Sequence, residues 1–237
     1  MRSVSFLSMV LLLVWAGCGH SSEQQARNMN SFHGYLRYSV EASSEDSTDV
    51  ATFYMFSPRY VELWMNDGFL RMIETGGASR VNILIDRQQQ LAYQIDTVHQ
   101  QVYRGVYSDF EEASDELQAM MPDHYRPALE NLQNDTTIAG LHCTEYLVIR
   151  SGYTRYGTDT RVWITNDLHV QPQRFDIETD VNRATTPLPL YLGASEGLVV
   201  RMQYETDGLM ITYDLSAWDS TLTNTDIFTL PEGWDVH

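Results

Sequence analysis

The sequence predicts a mainly β protein (α+β) built as an open, strongly curved antiparallel half-barrel, with one or two helices packed on its concave face. From Phe32 onward, short runs rich in Val, Tyr and Phe alternate with turn residues, which is typical of β-strands. Near the C-terminus, a hairpin that turns at Asp207-Gly208 carries apolar residues at every second position on both sides. One helical stretch separates the two halves, so a single sheet with a helix available to cover it accounts for the pattern.

The individual elements follow from these signals in chain order. Strands are expected over residues 34–42, 50–56, 59–66, 69–73, 81–86, 91–96 and 101–105, with Asp67-Gly68 closing a tight hairpin. A helix is expected over residues 108–121, where Phe110, Ala113, Leu117, Met120 and Met121 fall close to helical spacing. Pro122 helps to end it, and residues 127–132 are expected to add another turn.

The first eighteen residues have the form of a bacterial lipoprotein signal. Arg2 precedes a short apolar run, and Ala16-Gly17 stand directly before Cys18, as in a lipobox whose cysteine becomes acylated. The alternative is a plain secretory signal that happens to contain a cysteine. The predicted organisation is a signal peptide over residues 1–17, a polar tether over 18–31 and one β domain over 32–237.

The charge balance limits the classes of partner. All fifteen basic residues are Arg, and 32 acidic residues bring the net charge to −17. Such a surface repels phosphate backbones, so we expect no nucleic-acid partner. The absence of Lys fits either a protein from a salt-adapted organism or a GC-rich genome, and the sequence leaves both open.

The two cysteines provide no disulfide framework. If Cys18 carries lipid, Cys143 has no partner in the chain, and a lone cysteine within a strand is most often a small buried hydrophobic residue.

Four parts of the chain resemble a large, uncharacterised family of periplasmic lipoproteins. They are Thr137-Ile138-Ala139-Gly140-Leu141-His142-Cys143-Thr144-Glu145-Tyr146-Leu147-Val148, Val162-Trp163-Ile164-Thr165, Phe228-Thr229-Leu230-Pro231-Glu232-Gly233-Trp234, and the strand Asn82-Ile83-Leu84-Ile85-Asp86 followed by Leu91-Ala92-Tyr93-Gln94-Ile95-Asp96. The family usually places Lys after the cysteine, where this chain has Thr144. The resemblance implies a fold similar to the lipoprotein-carrier proteins (localisation factors A and B), and it implies no catalytic residue.

Candidate catalytic and metal-binding motifs have simpler interpretations. Gly193-Ala194-Ser195-Glu196-Gly197 matches a nucleophile elbow, but a strand follows it where a helix is required, so a glycine-rich loop is the better interpretation. Asp167 and His169 lack a visible third metal ligand. The acidic residues Glu111, Glu112, Asp115 and Glu116 fit a solvated helix face better than a Ca²⁺ site.

The same conclusion holds for the histidines, which stand at positions 20, 33, 99, 124, 142, 169 and 237, never four residues apart. The sequence therefore predicts no metal, no cofactor and no enzymatic activity.

Apolar and aromatic residues supply the candidate binding site. The residues expected to line a groove for acyl chains are Tyr54, Phe56, Trp64, Met65, Met72, Tyr93, Trp163, Met202 and Tyr213. The alternative is that these residues form an ordinary packed core.

The expected function is that of a lipid-anchored envelope protein that binds a hydrophobic ligand, with the helix over residues 108–121 as a lid. Gly19 after Cys18, in place of Asp, favours the outer membrane, facing the periplasm. The alternative is a non-catalytic interaction protein with a filled core, docking to another envelope component through its acidic surface.

Overall fold

A single sheet of antiparallel strands is the framework of the protein. The computed structural model describes residues 32–78, 81–109, 128–149, 159–168, 170, 175–178, 183–185, 197–222 and 224–237. Residues from Phe32 to His237 belong to one compact unit.

Fourteen strands and one α-helix, α1 (Ser47–Phe56), are present in these ranges. The strands are β1 (Gly34–Ser43), β2 (Tyr60–Met65), β3 (Phe69–Thr75), β4 (Asn82–Asp86), β5 (Leu91–Asp96), β6 (Gln101–Asp109), β7 (Ala128–Ile138), β8 (Leu141–Ile149), β9 (Arg161–Thr165), β10 (Phe175–Glu178), β11 (Arg183–Thr185), β12 (Leu198–Thr206), β13 (Leu209–Asp219) and β14 (Asp235–Val236).

The strand order is β11-β10-β6-β5-β4-β3-β2-β1-β13-β12-β9-β8-β7, and β14 pairs in parallel with the edge of β6. The outermost strands, β11 and β7, do not pair with each other in the described chain, so the sheet is open. Bulges lie between Arg37 and Tyr38 and between Val199 and Arg201, and bulges increase the local bend of a sheet. The predicted open, antiparallel half-barrel is confirmed.

One large apolar cluster, called here the main core, shows how far the sheet curves. It contains Leu63 and Ile83 from β2 and β4 together with Leu141 and Leu198 from β8 and β12. Because six strands lie between β4 and β8 in the sheet order, they share a cluster only if the sheet curls around it. A smaller second cluster holds Met202 and its neighbours on β9 and β12.

A third cluster, the outer cluster, lies on the other face of β2–β6. Side chains alternate along a strand, so Leu84 points away from Ile83 and Ile85, which belong to the main core. The outer cluster is covered by residues 224–237, called here the strap. Phe228 of the strap stacks on Phe69 with 5.7 Å between ring centroids, and Trp234 packs nearby.

The predicted hairpins are confirmed. Asp207 and Gly208 both have positive φ, as a tight two-residue turn requires, and they join β12 to β13. At the β2–β3 turn, the Asn66 side chain accepts hydrogen bonds from the backbone N–H groups of Gly68 and Phe69.

The strand predicted over residues 50–56 is wrong, because this segment belongs to α1. Asp46 caps the helix by accepting a hydrogen bond from the Thr48 N–H at 2.8 Å. Pro58 disfavours helical backbone at Ser57, where the helix ends. No residue of the helix is fully buried, so packing does not favour the strand conformation that Val50, Phe53 and Tyr54 prefer. The cap and the following proline therefore determine the local structure.

The helix predicted from residue 108 is wrong at its start, because Ser108 and Asp109 end strand β6. Residues 110–127, with the rest of that prediction and the acidic residues at 111–116, lie outside the described residues. The turn expected at 127–132 is also wrong, since β7 begins at Ala128. Leu129 and Leu132 are three residues apart and both half-buried because of a bulge after Asn131, not because of a helical turn.

No helix in the described ranges is long and apolar enough to cross a membrane.

Candidate functional site

The structure distributes the nine predicted ligand-binding residues over several surroundings. Met65, Met72 and Trp163 belong to the main core, Met202 belongs to the second cluster, and Tyr213 packs against both. Trp64 and Tyr93 lie in the outer cluster, because each alternates with a residue that faces the main core. Tyr54 and Phe56 are on α1. The structure thus brings three of the nine, Met65, Met72 and Trp163, together in the main core, and the role of the set in binding stays a prediction.

Half-buried apolar residues surround the main core at the end of the sheet next to α1. We call this set the apolar rim; it consists of Phe53, Val81, Tyr204 and Leu209, each packed against the main core, with Met55 and Phe56 on the last turn of α1. Met55 and Phe56 are 64% and 67% exposed. Sequence reasoning did not group the rim, because its members come from β12, β13, α1 and the residue before β4.

Helix α1 is held to the sheet by polar contacts and by few apolar ones. The Ala42 N–H donates to the Tyr54 hydroxyl at 3.0 Å, and the Arg59 guanidinium lies 4.6 Å from the centroid of the Tyr54 ring. The Ala78 N–H donates to the Met55 carbonyl at 2.8 Å. The helix therefore rests at the apolar rim without burying a residue of its own.

A charged network lies beside Trp163. The Arg201 guanidinium sits over the Trp163 ring and pairs with Asp214 at 2.7 Å. Glu145 is buried, and its two oxygens accept from Arg161 and Asn134 at 3.1 and 2.6 Å. Each buried oxygen of Glu145 has a donor, so this network stabilises β8 and β9 and leaves no group poised for chemistry.

Arg71 has different surroundings. It is 7% exposed on β3, directly opposite Trp64 of β2 and Leu84 of β4. Its Nε and Nη1 atoms are buried and have no hydrogen-bond partner. Burial in these surroundings lowers the pKa of the Arg71 guanidinium to about 10, so the group still carries its charge at neutral pH. The sequence signal for these surroundings is an Arg within an otherwise apolar strand.

The structure describes only some of the residues considered as catalytic or metal-binding candidates. Ser195 and His169 lie outside the described residues, while Gly197 directly precedes strand β12, as the glycine-rich loop interpretation requires. Asp167 accepts from the His142 N–H at 2.7 Å. Within the described ranges, no group of three or more His, Cys, Asp or Glu side chains is placed to hold a metal.

Cys143 is a buried free thiol on β8, as the sequence predicted. Burial raises the pKa of this thiol, so it is neutral and packs as an apolar side chain.

The chain has loose structural likenesses to solved proteins, among them the following two. LprF from Mycobacterium bovis aligns with 81% of this chain and 88% of its own length, at 12% identity and a TM-score of 0.30. A putative outer membrane lipoprotein-sorting protein domain from Vibrio parahaemolyticus aligns over 86% of this chain and 93% of its own length, at 12% identity and a TM-score of 0.22. No protein-family model and no curated protein sequence matches the chain. At these TM-scores neither likeness bears on what the chain does.

Proposed function

We propose that this protein is a lipid-anchored envelope lipoprotein that binds an acyl chain within its half-barrel and carries out no catalysis. The observation that supports the proposal is the apolar rim, where half-buried side chains surround the end of a large apolar core in an open sheet. An apolar chain that enters at the rim is removed from water without exposing any buried polar group.

The strength of such binding follows from the length of the acyl chain. Each buried methylene contributes roughly 0.8 kcal/mol. About ten methylenes therefore supply roughly 8 kcal/mol of transfer free energy, and the affinity is what remains after the cost of immobilising the ligand is subtracted. Met65 and Met72 suit this role, since methionine side chains adapt their shape to different contents.

Helix α1 is the element that has to move for an acyl chain to enter at the apolar rim. Its inner contacts are one half-buried Phe53 and a few hydrogen bonds, so displacing it costs less than displacing a strand of the central sheet. In this proposal α1 acts as the lid, a role that the sequence predicts for residues 108–121.

The anchor in this proposal is Cys18, acylated after removal of residues 1–17, with residues 18–31 as the tether and the outer membrane, facing the periplasm, as the address. The support for these points is the lipobox-like sequence and Gly19.

The proposal is tested with a soluble chain of residues 27–237, which contains the whole compact unit. Native mass spectrometry after purification, and again after incubation with palmitate, measures the bound fraction. Val81→Asp places a charge in the apolar rim and is expected to reduce palmitate affinity at least tenfold. Val106→Asp is the matched control, because Val106 is 69% exposed at the opposite end of the sheet.

Equal binding by both variants would place the ligand elsewhere on the protein. A wild-type chain that stays empty with palmitate and with membrane lipid extracts would overturn acyl binding. The interaction protein with a filled core, docking through its acidic surface, would then be the better account.

A further inference from the structure

The exposed apolar side chains of the described ranges are gathered at one end of the sheet. This is the end where β1 finishes at Ser43 and β2 begins at Tyr60, called here the α1 end. Of the eight large hydrophobic side chains that are exposed in these ranges, Val106 alone lies away from it. The other seven, called here the end band, are Met55 and Phe56 of the apolar rim together with Tyr60, Val98, Ile149, Met210 and Val236.

The register of the strands places the band on both sides of β1. Met210 lies opposite Ser43, the last residue of β1, and Tyr60 is the first residue of β2. Ile149 is the last residue of β8, and the pairing through β9 and β12 puts it level with Met210. These members therefore mark one edge, although they belong to separate strands.

The edge continues to the other side of the sheet. Val98 lies in the turn from β5 to β6, and Val236 pairs with the second residue of β6, next to that turn. At the opposite end of the sheet, the turns at residues 66–68, 87–90 and 139–140 carry no exposed large hydrophobic side chain. The two ends of the described sheet thus differ in polarity.

The spacing of the band indicates what it contacts. Its members are isolated from one another along the edge, whereas a bound peptide or helix requires a groove with neighbouring anchors. Isolated side chains at one level meet a plane. The members on β2, β8 and β13 lie within two residues of the strand end, about 7 Å at roughly 3.3 Å per residue. Apolar groups enter the headgroup boundary of a bilayer to a depth of about 5–10 Å.

We propose that the end band contacts the surface of a lipid bilayer and that the apolar rim takes its acyl chain from that bilayer. The uptake rests on the proposed function and names the source of its ligand. Met55 and Phe56 belong to both the rim and the band, so the entrance for the acyl chain lies at the membrane surface.

Charge determines the class of bilayer. Glu45, Asp46 and Asp207 are exposed at the α1 end, and the whole chain carries a net charge of −17. Carboxylates repel anionic headgroups, and they equally repel a second copy of this chain. The band therefore fits a zwitterionic surface, where burial of apolar side chains supplies the attraction.

The length of the tether permits this orientation. Phe32 precedes β1 at the end opposite to the band, and the ten residues of β1 span roughly 30 Å. Residues 18–31 reach at most about 50 Å when fully extended. The tether is thus long enough for the end band to meet the bilayer that holds an acylated Cys18.

The first test measures sedimentation of residues 27–237 with phosphatidylcholine vesicles. Val98→Asp/Met210→Asp is expected to lower the partition coefficient at least tenfold, because two charges enter the band. Val106→Asp/Gln89→Asp adds the same charge away from the band and is expected to keep the wild-type value within about twofold. Palmitate binding from solution should be unchanged in both variants, since none of these positions belongs to the apolar rim.

The composition of the vesicles provides a further check. Phosphatidylglycerol in place of about a third of the lipid is expected to weaken binding at 0.01 M salt, and less so at 0.1 M, where the Debye length is about 10 Å. Stronger binding to the anionic vesicles would contradict the zwitterionic assignment.

The second test leaves the band intact. In a Cys143→Ala background, a fluorescent label is attached at Thr97→Cys, beside Val98, or at Gln89→Cys in the turn at the opposite end. Phosphatidylcholine with brominated acyl chains is expected to quench the label at position 97 and not the label at position 89.

Three results would overturn the bilayer contact: equal quenching at both positions, equal loss of vesicle binding in both double variants, or a wild type that does not bind phosphatidylcholine vesicles. The last result would assign the band to a protein partner. If palmitate binding persists in any of these cases, acyl binding stands without the bilayer contact. Vesicle binding through the band without palmitate binding would overturn acyl binding and uptake, and it would support the contact.

Discussion

Tyr38 shows how a single residue places a polar group in the centre of the sheet. The residue is fully buried in the main core, and its hydroxyl donates to the Val199 carbonyl at 3.0 Å. Burial raises the pKa of the hydroxyl far above its ordinary value, so the residue stays neutral at any pH at which the protein is folded. The hydrogen bond joins β1 to β12, which do not pair with each other, where the bulge of β12 turns its backbone inward.

Cys143 gives a prediction at the same scale. Because burial raises the pKa of the thiol, little thiolate forms in the folded protein at pH 8, and we expect slow reaction with a disulfide reagent such as DTNB. Residues 27–237 contain no other cysteine, so the absorbance of the released thiolate reports this one group.

The matching control is the same chain unfolded in urea, where Cys143 should react at the rate of a free thiol. Because folding raises the pKa of the Cys143 thiol, the neutral thiol contributes fully to the stability of the fold below the pKa that it has in the unfolded chain. This contribution is lost as the pH rises through the pKa that the thiol has in the folded chain. Rapid labelling of the folded chain would show that β8 opens locally.

The strap gives a prediction at the scale of an element. Phe228 is 8% exposed and stacked on Phe69, so Phe228→Ala leaves a cavity in the outer cluster. We expect a loss of about 3 kcal/mol in the free energy of unfolding, measured in urea.

Phe56→Ala is the matched control for this loss. The Phe56 ring is 67% exposed, so its removal is expected to change the free energy by less than about 0.5 kcal/mol. A loss for Phe228→Ala as small as that of the control would mean that the strap does not contribute to global stability.

The elements also show what the sequence predicts and what it leaves undetermined. Period-two patterns located the strands from β1 to β6 and the β12–β13 hairpin, since each carries its own alternation and turn. The same patterns wrongly predict a strand at α1, because an exposed helix has no apolar period. The prediction that Trp64 and Met65 line one groove is also wrong, because these neighbours in sequence lie on opposite sides of the sheet.

At the scale of the whole molecule, the charge of −17 is the dominant electrostatic feature. Repulsion among carboxylates destabilises the compact state, and salt screens it, since the Debye length falls from about 30 Å at 0.01 M to about 10 Å at 0.1 M. We therefore expect sodium gluconate to raise the free energy of unfolding by about 1 kcal/mol over this range, measured in urea at pH 7.

The same titration near pH 4.6, where the net charge vanishes, is the control and should show little effect. An equal effect at both pH values would assign the stabilisation to preferential exclusion of the salt and not to screening.

The position of β1 between β2 and β13 has a consequence for how the protein comes to be folded. Ser39 donates to the Asp214 carbonyl across 175 residues of sequence, so the middle of the sheet is made from the two ends of the domain. The entropy cost of closing so long a loop has to be met before the contacts between the two strands can form. Folding is therefore expected to be slow and to depend on the last segments of the chain. A chain that emerges N-terminus first can pair β1 with β2 early, but the β1–β13 pair that joins the two halves of the sheet forms only after nearly all of the chain has been made.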